Sequence, residues 1–173
     1  MKWFIALLML GFVFFAGCEG DDLERKNAMG HYIADQPVKI DQEGSILYVS
    51  PVDNAGYTEW GELYQDANAR ASSNGQRNTR RIVDTLGAGD YAAYVCDTLS
   101  AYGFDDWYLP SREELDVIYQ NKDEIGTLHD KFYWSSTEED PQRAWGQYLD
   151  DGRQKNRLKY DLGRVRCVRR PEN

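Results

Sequence analysis

Histidine is nearly absent: the 173-residue chain carries two, His31 and His129, with no metal-ligand spacing between them. That removes imidazole-based metal sites and leaves no convincing histidine base for a nucleophile. No G-x-x-x-x-G-K and no G-x-G-x-x-G occurs, so no loop is built to cradle phosphates. Gly87-Ala88-Gly89 is a chain breaker ahead of Asp90. No G-x-S-x-G elbow surrounds Ser111, Ser135 or Ser136, and no EF-hand spacing organises the carboxylates. Positive charge is also short, with 20 Lys and Arg against 29 Asp and Glu, a net of -9. Bulk electrostatics therefore disfavour nucleic acid and anionic membrane surfaces as partners. Internal repeats and low-complexity tracts are missing too. What is plentiful is aromatic surface, with twelve Tyr and five Trp, enough for a folded core.

The first residues read as a targeting segment. Lys2 is followed by an apolar stretch from Trp3 to Phe15, of signal-peptide length and too short for a comfortable membrane span. Phe15-Ala16-Gly17-Cys18 resembles a bacterial lipobox, although Leu is commoner where Phe15 stands. The resemblance implies residues 1–17 as a lipoprotein signal peptide, cleavage before Cys18, and lipidation of Cys18. An ordinary secretory signal with a chance cysteine is the alternative. Residues 18–40 read as an acidic tether. Glu19, Asp21, Asp22 and Glu24 look like a surface-export signal of Bacteroidota-type lipoproteins, or simply a solvated linker. Residues 41–173 are expected to form one domain. Cys96 and Cys167 are then the remaining cysteines, and in an exported chain such a pair reads as a disulfide. Two buried free thiols are the alternative.

Along the domain, Ile46–Val49 reads as a core strand ended by Pro51. Leu63, Ala67 and Ala71 recur four apart and predict a short helix over 62–71. Thr79 is expected to cap a brief helix carrying Ile82, Val83 and Leu86. Asp90 is expected to cap a helix over 91–102, with Cys96 on its apolar stripe and Gly103 just past its end. Trp107-Tyr108-Leu109-Pro110-Ser111 is strand or turn, then a stop. Ser111 and Glu114 have capping-box spacing before a helix that runs to about Asn121. Residues 122–131 read as a connector. Strands are expected at 132–137 and 144–149, a hairpin turn at Asp151-Gly152, and a last strand alternating through Val165, Cys167 and Arg169.

Candidate chemistry is thin. Glu138, Glu139, Asp140, Asp150 and Asp151 are oxygen donors, but a solvated turn and hairpin tip explain them equally well, and no metal or cofactor is expected. Ser111 reads as a helix cap rather than a nucleophile. Trp60, Trp107, Trp134 and Trp145 read as core packing before sugar stacking. The best binding candidate is the basic C-terminal run, above all Arg153, Lys155 and Arg157, because guanidinium and ammonium groups pair with sulfate and carboxylate. The plain alternative is that these cations neutralise the acidic remainder of the domain.

The order of landmarks is informative. Trp107-Tyr108-Leu109-Pro110-Ser111-x-x-Glu114-Leu115, Tyr133-Trp134-Ser135-Ser136-Thr137, Ala144-Trp145 and Val165-Arg166-Cys167-Val168-Arg169 together resemble the DUF1566, or Lcl C-terminal domain, family. The resemblance covers roughly residues 44–170. It implies an α+β, C-type-lectin-like fold: two helices flanking a small, twisted, mostly antiparallel sheet, with a long loop region on one side. It also implies a bridge from Cys96 on a helix to Cys167 on the last strand. The Glu-Pro-Asn or Gln-Pro-Asp and Trp-Asn-Asp signatures of calcium-dependent sugar lectins are not present, since Gly146 and Gln147 follow Trp145. Family members include adhesins that engage sulfated glycosaminoglycans.

The resulting expectation is a non-enzymatic cell-envelope lipoprotein, held at the outer membrane through Cys18 and exposed on the surface. Its domain would recognise a sulfated or acidic glycan, or a protein. The rivals are a structural accessory lipoprotein with no small ligand and, ranked last, an enzyme acting on polysaccharide.

Overall fold

Ser111 opens the helix that organises the domain. Its hydroxyl accepts from the Glu114 amide at 3.3 Å and the Glu114 carboxylate accepts from the Ser111 amide at 2.9 Å, completing the expected capping box. The computed structural model describes residues 36–42 and 44–171. The signal peptide, Cys18, His31 and most of the tether lie outside those residues. Residues 38–40, assigned to the tether on sequence, belong to the first strand.

Strands β1 (Val38–Gln42), β2 (Ser45–Val49) and β3 (Ala55–Thr58) come first. Helices α1 (Gly75–Leu86), α2 (Ala92–Asp97), α3 (Arg112–Gln120) and α4 (Lys122–Ile125) follow. Strands β4 (Phe132–Glu138), β5 (Arg143–Tyr148), β6 (Gln154–Leu158), β7 (Gly163–Val165) and β8 (Val168–Arg169) close the chain. The α+β class holds. Among the described residues there are four helices rather than two, and two sheets rather than one: β1-β2-β8 and β3-β7-β4-β5-β6. All named pairings are antiparallel except β4 with β7.

The two sheets arise because the expected last strand breaks. Arg166 and Cys167 leave the ladder: the Cys167 amide donates to Asn54 Oδ1 at 2.8 Å and its carbonyl accepts from Ser50 at 2.9 Å. β7 finishes in one sheet and β8 begins in the other, so Val165 to Arg169 are all buried and period-2 alternation of exposure is lost. Cys96 on α2 bonds to Cys167 across 71 residues, with Cα atoms 5.4 Å apart. Closing a loop of that size contributes about 4 kcal/mol by the chain-entropy account.

Two apolar cores result. One gathers Trp60, Ile82, Cys96, Trp107, Leu109, Trp134 and Cys167. The other gathers Leu47, Tyr108, Leu115, Ile118, Tyr133 and Val168. Extended backbone sends successive side chains to opposite faces, so three short stretches divide the cores between neighbours. Trp107 and Leu109 go one way and Tyr108 the other; Trp134 and Tyr133 split likewise, as do Cys167 and Val168.

Three helix expectations need correction. Residues 62–71 form no helix. Tyr64 and Asn68 have φ of 63° and 53°, and the Ala67 and Ala69 amides donate to the Glu138 carboxylate instead of to a preceding turn. α1 starts at Gly75 under an Asn74 cap, not at Thr79, which lies inside the helix and exchanges hydrogen bonds with the Leu109 backbone. α2 ends at Asp97, is preceded by Tyr91 with no side-chain cap, and leaves Asp90 outside that role. Its first amide, on Ala92, donates to Glu59 at 2.9 Å, and the Thr98 hydroxyl bonds back to Tyr94 at the other end. The connector after α3 holds the single turn α4.

Gly75 is required by closeness rather than by dihedral freedom. A Cβ there would sit 2.6 Å from the Ser111 amide nitrogen and 2.7 Å from the Leu109 carbonyl oxygen, as well as against the Glu114 carboxylate. Two of those three neighbours are backbone and cannot give way. Gly→Ala in a helix ordinarily gains about 1 kcal/mol. Gly75→Ala is expected to destabilise by about 1–3 kcal/mol, the usual cost of overpacking. A urea midpoint equal to or above that of the wild type would show that the contact relaxes freely.

Candidate functional site

The β5–β6 hairpin turns at Asp151-Gly152, where Gly152 has φ of +75°, and leaves β6 at the edge of the five-stranded sheet. Its register pairs Arg143 with Leu158, Ala144 with Arg157, Trp145 with Asn156, Gly146 with Lys155 and Gln147 with Gln154. Directly opposed residues share a face, so the hairpin has two distinct surfaces.

One surface faces α3. Gln147 is fully buried and its amide donates to Asp116 Oδ1 at 2.7 Å and to the Gly152 carbonyl at 2.9 Å. Gln154 donates to the Arg112 carbonyl at 3.1 Å. The Arg112 guanidinium lies 4.8 Å from the Trp145 ring, whose indole N–H donates to Glu139. Between α3 and the hairpin lies an open cleft of about 320 Å3, lined by Arg112, Glu113, Asp116, Gly152 and Gln154.

The other surface carries Arg153, Lys155 and Arg157, which alternate onto one face just as their spacing requires. Beneath them is an aromatic pair, Phe132 and Tyr148, joined edge to face with centroids 5.2 Å apart. The Arg157 guanidinium lies 4.8 Å above Phe132 and that of Arg153 lies 5.2 Å above Tyr148, so each ring carries one cation. Lys155 stands opposite Gly146, where a side chain would run into Phe132 and the Tyr133 carbonyl. Arg153 also pairs with Asp151 at 3.1 Å and Arg157 with Asp161 at 3.2 Å. Lys155 is exposed and makes no ion pair among the described residues. Phe132 and Tyr148 as partners of the cations escaped sequence reasoning, because their role depends on strand register rather than on local pattern.

Of the remaining cations of the C-terminal run, four are largely buried and Arg170 is partly exposed. Lys159 is fully buried against Glu138 at 2.6 Å and lies 4.6 Å from the Trp60 ring. Arg164 and Arg166 both reach Asp53 at 2.7 Å. Burial pulls the Arg164 pKa down, but the Asp53 carboxylate outweighs it and the net shift is upward. The same carboxylate accepts from the Tyr133 hydroxyl, whose pKa is pushed up to about 12, chiefly by burial. Arg169 grips Asp106 through two nitrogens at 2.6 and 2.9 Å, and Arg170 meets Glu114 at 3.0 Å.

The other sequence candidates take structural places. Glu138 is consumed by Lys159, Glu139 holds Trp145, and Asp140 accepts from the Gln142 and Arg143 amides at 2.7 Å each. Among the described residues no group of three or more His, Cys, Asp or Glu is placed to hold a metal ion. Trp60, Trp107 and Trp134 are buried in the first core, while Trp145 is half-buried. Ser135 donates to the Trp145 carbonyl and Ser111 caps α3. His129 is exposed, with its ring nitrogen 3.7 Å from Asp53. Among the described residues no helix is long and apolar enough to cross a membrane.

The Glu138–Lys159 pair withdraws one cation of the run from the surface. Removing one member of a buried pair strands the other, at about 3–5 kcal/mol. Lys159→Met is expected to lower stability by that amount in guanidinium unfolding and to speed hydrogen exchange at the Ala67 and Ala69 amides. An unchanged midpoint with unchanged protection would show that the pair holds nothing.

The family described as the Lcl C-terminal domain matches residues 52–169. No curated protein matches the chain.

Proposed function

Because this chain belongs to the Lcl C-terminal domain family, we propose that it is a non-enzymatic binding module whose ligand is a sulfated or acidic glycan. The observation that carries this reading is the row formed by Arg153, just ahead of β6, and Lys155 and Arg157 on one face of β6, with both guanidinium groups laid over aromatic rings. Successive members of the row rise about 6.6 Å along the strand, a spacing suited to the repeated charges of an extended polyanion. A guanidinium already held against a ring loses less freedom on meeting a sulfate, and its fork accepts two oxygens at once. The net charge of -9 does not forbid this. At physiological ionic strength charges are screened within about 8 Å, so a ligand on the row feels the row first. Asp151 and Asp161 compete for the same cations and set a threshold that weakly charged ligands do not cross.

The wider setting follows the same reading. The fold is C-type-lectin-like, in keeping with the disulfide from α2 to the break between the last two strands. Cys18 carries the lipid that holds the protein to the outer membrane, with the domain exposed at the cell surface.

Heparin, as a sulfated probe, is expected to bind with an affinity that falls as salt rises, because counterions are released from both partners. Replacing Arg153, Lys155 and Arg157 together by Ala is expected to weaken binding at least tenfold and to flatten the salt dependence. Equal affinity of the triple variant would overturn the assignment. No heparin binding, together with a stably co-purifying protein, would favour the accessory lipoprotein.

Anchoring is tested separately. Cys18→Ser is expected to move the exported protein from the membrane fraction to the soluble one, and an unchanged membrane fraction would refute lipidation.

A further inference from the structure

Arg112 and Asp116 stand one turn apart on α3, the spacing at which a guanidinium and a carboxylate ordinarily pair. Here the hairpin draws each of them away from the other, and among the described residues neither makes an ion pair. The Arg112 guanidinium lies over the Trp145 ring, 4.8 Å from its centroid. Asp116 Oδ1 accepts from the Gln147 side-chain amide at 2.7 Å. Trp145 and Gln147 are alternate residues of β5 and so project from the same face. Four helical residues rise about 6 Å and two strand residues about 6.7 Å, so helix and strand together hold the two charges about 6 Å apart. That is too far for an ion pair and short enough for one small molecule to touch both.

Both residues line the open cleft of about 320 Å3, together with Glu113, Gly152 and Gln154. That volume is at the lower end of small-molecule sites, which run from about 300 to 1,000 Å3. Gln147 is fully buried, and its amide nitrogen donates to two residues of the lining, Asp116 and Gly152. The oxygen of the same amide is buried and has no hydrogen-bond partner among the described residues. Buried polar atoms are nearly always bonded, so an acceptor left over in the head group that anchors the cleft calls for a donor. Other polar groups are already engaged. One Glu113 oxygen takes the Ser72 hydroxyl at 2.6 Å, and Gln154 donates to the Arg112 carbonyl at 3.1 Å. The first amides of α3 donate to Thr137 Oγ1, the Ser72 carbonyl and Ser111 Oγ. Nearby, Arg153 pairs with Asp151 at 3.1 Å, Lys122 donates to the Leu149 carbonyl at 3.0 Å, and Glu139 accepts from the Trp145 indole.

We infer that this cleft is a binding site for a small zwitterion, an α-amino acid, whose carboxylate meets Arg112 and whose ammonium group meets Asp116 and the free oxygen of Gln147. A guanidinium fork takes a carboxylate through two parallel hydrogen bonds, and the Trp145 ring beneath holds that fork in place beforehand. An ammonium group brings three donors, which match Asp116, the Gln147 oxygen and the second carboxylate of the lining, Glu113. A simple anion fits less well, because two carboxylates oppose it and the helix amides that would hold it are taken. A simple cation fits less well, because Arg112 faces it. A sugar would supply hydrogen bonds but no charge, and would displace water from Arg112 and Asp116 while leaving both unpaired. A metal ion lacks ligands, since among the described residues no three His, Cys, Asp or Glu converge. The cleft is on the opposite surface of the hairpin from Arg153, Lys155 and Arg157, so this inference does not rest on glycan binding there.

The test is titration of the purified full chain with glycine, L-alanine, L-serine and L-glutamine, followed by calorimetry and by NMR of the side-chain amides. Acetate, methylammonium, glucose and trimethylglycine serve as comparison probes. At least one amino acid is expected to bind and to shift the Gln147 side-chain amide signals. Acetate and methylammonium carry one charge each, glucose carries none, and trimethylglycine has no N–H to donate. Each is expected to bind about tenfold more weakly or worse. Arg112→Gln and Asp116→Asn remove one charge each with little change of shape, and each is expected to weaken amino acid binding by about tenfold or more at an unchanged Tm. The inference is overturned if no amino acid binds, if acetate or glucose binds as tightly, or if either variant binds as the wild type does. Should a variant lower the Tm, the ranking of probes on the wild type decides by itself.

Discussion

One buried carboxylate joins the parts of this domain. Glu114 is 3% exposed and accepts four hydrogen bonds, from the Ser111 and Gly75 amides, the Tyr108 hydroxyl and the Arg170 guanidinium. Those donors come from the start of α3, the start of α1, the wall between the two cores and the end of the chain. Burying a carboxylate is costly unless it is fully bonded. Here every donor depends on the others being in place, so the first turns of two helices and the last described strand are positioned together. The Tyr108 pKa is driven upward, first by burial and then by Glu114, so the phenol remains a donor throughout the physiological range.

A second buried carboxylate does for the loops what Glu114 does for the helices. Glu138 ends β4 and receives Lys159 together with the Ala67 and Ala69 amides. The segment from Gly61 to Ala71 consequently has a defined path without regular structure. Both arrangements place a charged group where water cannot reach and satisfy it with backbone amides, which gives a conformation rather than merely stability. Of the eight cations that crowd the C-terminal end, five reach carboxylates of other segments, four of them largely buried and Arg170 partly exposed. The three of the hairpin, Arg153, Lys155 and Arg157, reach the surface.

Local features were legible before the fold was known. The capping box at Ser111 and Glu114, the strands at Phe132 and Ala144, and the turn at Asp151-Gly152 rest on contacts within a few residues, so their patterns survive in one dimension. The alternation of Arg153, Lys155 and Arg157 onto one face is legible for the same reason. The segment from Glu62 to Ala71 misled because helical spacing of Leu63, Ala67 and Ala71 says nothing about a carboxylate seventy residues away that claims the amides. The start of α1 was expected at Thr79 rather than Gly75 because that glycine answers to Glu114, Ser111 and Leu109, none of which is near in sequence. Of the candidate site, the cations were readable and their aromatic partners were not. Phe132 and Tyr148 face each other only because β4 pairs with β5 in one register.

By itself, the sequence determined the family, the α+β class, the capped helix at Ser111 and the identity of the two cysteines free to pair within the domain. Each follows from composition or from residues close together along the chain. Tertiary structure alone decided that the last strand divides between two sheets, that half of the basic run is internal, and that Tyr64 takes a left-handed backbone conformation on an irregular segment. Those outcomes are set by which distant carboxylate meets which cation, and by which amides it leaves without a helix. Distance along the chain does not encode such choices, because the cost of burying a charge is met only when the whole fold closes around it.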